Sequence, residues 1–182
     1  MGAATLPERT PEERLICKAL ALTWVFYALG ALYVVGPVLG WSLLGMAVLK
    51  VRREPWRLNA VSLNVWLWVV GMLCMELALV VAHVDFMLGT GLMIKSSIGW
   101  AKGWALMAVF IVAGALLDIR REILADAVAD LGRQTVVLAP IFFMAFYAGL
   151  PARLYVSPLS VIGGPGPEYF AFNFFSNNHE GF

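Results

Sequence analysis

Between Ala19 and Leu49 the chain carries no charged side chain over 31 consecutive residues. A single helix of that length would measure about 46 Å, against a hydrocarbon core of about 30 Å. The run is too long for one straight crossing, so it must be broken or tilted. Gly36-Pro37 sits near its middle and is the expected break, because proline removes a helical hydrogen bond and clashes with the preceding turn. Two short spans follow, about Ile16–Val35 and about Val38–Leu49, with one kinked, tilted helix as the alternative. The rest of the chain agrees with this class: 61% of residues are hydrophobic, 14% are charged and the mean hydropathy is +0.80. The expected fold is all-α, a polytopic integral membrane helical bundle of four or five transmembrane helices.

Residues 1–15 read as a cytoplasmic tail, residues 16–150 as the bundle and residues 151–182 as an extracytoplasmic loop. Within the tail, Thr10-Pro11-Glu12-Glu13 has the pattern of a helix start, with Thr10 as N-cap, Pro11 at the first helical position and Glu13 closing a capping box. A secretory signal peptide is rejected, since the leading segment is not basic and the apolar run exceeds an h-region. Further spans are expected at about Leu58–Ala82, Ser97–Leu117 and Thr135–Leu150. Phe86–Ile94 lies between the first two as a loop or an interfacial turn. An interfacial helix, or a cytoplasmic extension of the preceding span, runs from Asp118 to about Leu131 before the last span, with Gly132 able to cap it. Pro140 need not break that span where neighbours satisfy the freed carbonyl.

Charge placement orients these spans. With the amino terminus in the cytoplasm, Arg9, Arg14, Lys18, Lys50, Arg52, Arg53, Arg57, Arg120, Arg121 and Arg133 fall on one side, and only Lys95, Lys102 and Arg153 on the other; if the first apolar run is one span, the amino terminus moves outside and everything after Lys50 keeps its side. Ten against three puts the larger set in the cytoplasm. The net charge of +1, with no basic stripe outside the apolar segments, gives no case for nucleic acid. Cys17 and Cys74 lack metal or redox spacing and read as packing residues. His83 and His179 are too few and too poorly placed for a haem. No metal cluster, Ser-His-Asp arrangement or phosphate loop is visible, and no cofactor is called for.

The polar residues that interrupt the apolar chain gather between His83 and Trp104. Lys95, Lys102 and Arg153, together with His83, are candidates for an anion or substrate site at the outer boundary; snorkelling side chains explain each of them equally well. Glu76 lies about 10 Å below the outer end of its span and should be paired, with Lys102 at similar depth as the expected partner. The turn-forming run with Gly163, Gly164, Gly166 and Glu168 could present donors and a base to a diphosphate, although an ordinary turn accounts for it too. The tryptophans of the spans read as interface anchors.

Two segments carry a resemblance: IKSSIGWAKGWALMAVF at Ile94–Phe110 and ARLYVSPLSVIGGPGPEYF at Ala152–Phe170. Over about Leu58–Phe170 the chain resembles the amino-terminal part of bacterial O-antigen ligase and polymerase-like membrane proteins. That resemblance implies glycosyl transfer at the outer face of the bacterial inner membrane, from an undecaprenyl-diphosphate carrier and without a metal. The family's large extracytoplasmic loop, which bears its functional Arg and His residues, has no counterpart here, so no catalytic residue carries over. On this reading the 182 residues are the inactive front portion of a longer enzyme. The alternative is a small non-enzymatic membrane protein, an accessory subunit of a transporter or envelope complex. An ion path through Glu76 is weaker, since one deep carboxylate does not make a relay.

Overall fold

In a computed structural model the described residues are 8–151, 153–158 and 171–173. Eight α-helices account for most of them, and the fold is all-α apart from one short ribbon. Two compact units are present. One joins the described residues up to Gly36 with those from Arg120 onward, and the other is Pro37–Ile119.

The first unit opens with α1 (Pro11–Ala21), whose start is built as its sequence predicts. Thr10 accepts from the Glu13 backbone N–H at 3.3 Å, and Glu13 accepts from the Thr10 N–H at 2.9 Å. After a slight irregularity at Leu22, α2 (Thr23–Ala28) continues the path. The chain then turns at Gly30, which has φ +65°. Ala31 N–H returns to Phe26 O and Gly30 N–H to Tyr27 O, the pair of bonds that closes a helix on a left-handed residue. The break in the long uncharged run therefore falls six residues before the expected Gly36-Pro37.

Pro37 lies inside α3 (Leu32–Arg53), a continuous helix of 22 residues. It sits in the second turn, where it removes only the bond to the Tyr33 carbonyl. Two spans divided at Gly36-Pro37 are thus replaced by α1 and α2 on one side of Gly30 and α3 on the other.

The first unit is completed by α8 (Arg121–Tyr147), against which α1 packs, and by a two-stranded antiparallel ribbon. Gly132 does not cap a helix here. The amphipathic stretch and the last apolar span are one helix of 27 residues with Pro140 inside it. Trp24 and Tyr27 stack against Phe142, at centroid distances of 5.5 and 6.5 Å. The ribbon pairs β1 (Arg153–Val156) with β2 (Ala171–Asn173) within the tail expected to be a loop, and the Tyr155 hydroxyl donates to the Ala28 carbonyl.

The second unit holds the rest of α3 with α4 (Arg57–Ala60), α5 (Leu63–Asp85), α6 (Thr90–Lys102) and α7 (Trp104–Leu116). Here α5 packs on α6 and α7. Its small core is made by Leu43, Ala47, Ala105, Ala108, Val109, Ala113 and Leu116, short side chains that let helices approach closely. Between α5 and α6 only Phe86–Gly89 is non-helical, because the helix starts at Thr90, within the stretch expected as a loop and ahead of the expected span at about Ser97. Four helical segments are long and apolar enough to cross a membrane: Leu32–Arg53, Leu63–Asp85, Thr90–Leu116 and Arg121–Tyr147.

Candidate functional site

The polar stretch from His83 to Trp104 folds as the end of α5, a tight turn, all of α6 and the first residue of α7. The turn is closed by Met87 N–H to Val84 O and Leu88 N–H to His83 O, with Met87 itself left-handed at φ +50°. This brings α6 back along α5, and side chains of the two helices meet.

His83 is tied down on both ring nitrogens. Nδ1 lies 2.8 Å from the Leu79 carbonyl oxygen one turn below, and Nε2 lies 3.1 Å from Ser96 Oγ on α6. The imidazole is therefore committed to its neighbours, which weakens the expectation that it is an anion ligand. Lys95 is exposed on α6, while Lys102 is half-buried in its last turn, where a cation complements the helix dipole. Seven residues apart on one helix, the two lysines share a face.

Glu76 is half-buried on α5, and its Oε2 is enclosed with no hydrogen-bond partner. The ion pair expected with Lys102 does not close on that oxygen. The indole N–H of Trp100 on α6 is likewise enclosed without an acceptor. An apolar cavity of about 280 Å³ lies beside it, lined by Trp41, Trp66, Met72, Trp100, Ala108 and Val112 among others. Arg153 stands at the start of β1, in the first unit, whereas both lysines belong to the second. Gly163, Gly164, Gly166 and Glu168 lie outside the described residues.

At the opposite end of α5, about 34 Å away by helical rise, charges pair closely. Asp118 accepts from Arg57 Nη1 at 3.0 Å and Nη2 at 2.9 Å, and from Lys50 Nζ at 2.9 Å. Arg57 Nε also reaches Glu54 at 2.6 Å. The Arg57 guanidinium, then the Lys50 ammonium, hold the Asp118 carboxyl down at about 2. Asp118, then Glu54, push the Arg57 guanidinium further up. The sequence marks this segment as basic, but only the fold shows its charges converging on one carboxylate 61 and 68 residues away. No group of three or more metal-ligating side chains occurs among the described residues.

Comparison with family models, curated proteins and solved structures returns no match.

Proposed function

We propose that the chain is embedded in a bilayer and belongs to a bacterial inner-membrane glycan ligase or polymerase that handles undecaprenyl-diphosphate-linked saccharides. Embedding rests on α5. Its Leu63, Leu67, Val70, Leu77, Val81 and Val84 recur at helical spacing and are all more than half exposed. An apolar stripe of this length requires hydrocarbon or further protein around it. Extraction of membranes with alkaline carbonate should leave the protein in the pellet; release into the supernatant would remove this part of the reading.

The glycan-transfer part draws on the resemblance of Ile94–Phe110 and Ala152–Phe170, and one observation supports it. Lys95 and Lys102 share a face of α6, and Trp100 between them lines the apolar cavity. An ammonium pair suits a diphosphate, and an adjoining apolar surface suits the isoprenoid chain. Lys95 is the better diphosphate contact because it is exposed.

The test is binding of undecaprenyl diphosphate to the protein in nanodiscs. Saturable binding should weaken about tenfold in Lys95→Gln, the loss of one charge-assisted contact. Equal binding of undecaprenol and undecaprenyl diphosphate would contradict the assignment.

A further inference from the structure

His83 and Ser96 belong to different helices of one unit and meet at 3.1 Å. A carbonyl oxygen can only accept, so the 2.8 Å contact to Leu79 requires a hydrogen on Nδ1. In the neutral ring Nε2 is then left with its lone pair, and Ser96 donates its hydroxyl hydrogen to it. The ring is held by a third group, the base faces the hydroxyl, and the serine oxygen keeps its lone pairs. That is the arrangement by which a weak nucleophile is activated, with a backbone carbonyl in the orienting role a carboxylate often plays.

We propose that Ser96 is a nucleophile with His83 as its base, and that it accepts acyl groups from carboxylic esters. The position suits such a substrate. His83 lies two residues, about 3 Å of helical rise, from the end of a candidate span, close to where the ester groups of lipids reside. In the reaction Ser96 Oγ adds to the ester carbonyl carbon while its proton passes to His83 Nε2. The bond from that carbon to the alcohol oxygen then breaks, and the imidazolium returns the proton to the departing alkoxide. Water or an acceptor hydroxyl, deprotonated by the same nitrogen, adds to the acyl carbon; the bond from that carbon to Ser96 Oγ breaks, and the imidazolium returns the proton to Oγ. This inference is independent of the diphosphate reading, which rests on Lys95 and Lys102.

The experiment uses diisopropyl fluorophosphate on the whole chain in nanodiscs, read by peptide mass spectrometry. Attack by Ser96 Oγ forms a phosphorus–oxygen bond, fluoride departs and His83 takes the proton. The expected result is one adduct on Ser96, absent in Ser96→Ala, unchanged in Ser97→Ala and formed about a hundredfold more slowly in His83→Gln. Absence of an adduct on Ser96 in the unaltered protein would overturn the proposal without reference to any variant, and leave the contact as a clasp between α5 and α6. Equal rates with and without His83 would overturn it as well.

Discussion

The carboxylate of Glu13 is fully enclosed and gathers three donors of Arg120: the backbone N–H at 3.0 Å, Nε at 2.8 Å and Nη2 at 2.6 Å. The same side chain closes the capping box of α1 by accepting from Thr10. One carboxylate thereby fixes the start of α1 and the residue that precedes α8. Thr10→Ala should cost about 1 kcal/mol, the usual loss for a helix cap. Glu13→Ala should cost more, since it also leaves the Arg120 guanidinium without its partner. Thermal unfolding in detergent compares the two variants; equal losses would show that the Arg120 contact adds nothing.

Acid should destabilise the protein through the same kind of contact. The hydrogen bonds from Arg120 hold the Glu13 carboxyl well below its usual range, against the opposing effect of burial. Asp118 is held at about 2. Both values lie below that of an unfolded carboxyl, about 4, so the stabilisation is complete above that pH. It is lost as pH falls from about 4 toward the folded value, about 2 for Asp118. Unfolding followed from pH 7 to pH 2.5 should show this decline, and Asp118→Asn should begin less stable and decline less steeply.

Close packing in the second unit sets a size limit at Gly40 on α3. A Cβ there meets Leu106 Cδ1 and comes within 3.4 Å of Phe110 on α7. Leu106 can swing its methyl aside, so Gly40→Ala should be tolerated. Gly40→Leu should cost about 1–3 kcal/mol by overpacking. Gly45 has open space around its position, and Gly45→Leu is the matched control. Helix propensity favours leucine over glycine at both positions, so a loss at Gly40 no larger than at Gly45 would show that the α3–α7 contact sets no size limit.

Met87 is the one described non-glycine residue with positive φ, and it is 91% exposed. A side chain in the left-handed region costs about 1–2 kcal/mol, which glycine avoids. Met87→Gly should therefore raise the unfolding midpoint. A lowered midpoint would show that the methionine side chain contributes more at the turn than its backbone conformation costs.

The N-terminal start of α1 was readable because a capping box is a local device, complete within Thr10–Glu13. The break at Gly30 was equally local but was masked by a stronger signal, since Gly36-Pro37 breaks most helices and only its place in the second turn of α3 made it harmless. Lys95 and Lys102 share a face because α6 begins at Thr90, ahead of both, and not at about Ser97 as expected. Ser96 could be noticed only as a neighbour of Lys95, because its relation to His83 depends on how α6 folds back on α5. The same holds for Asp118, whose partners Lys50 and Arg57 come from other elements.

Hydropathy determined the helical class and the presence of helices long and apolar enough to cross a membrane, because it acts through each residue's own preference for water or hydrocarbon; it did not fix where the first and last of those helices begin and end. Tertiary structure decided the polar contacts between elements: Glu13 with Arg120, Asp118 with Lys50 and Arg57, and His83 with Ser96. A hydrogen bond forms only over about 3 Å, and helical periodicity does not set the relative placement of two helices to that tolerance.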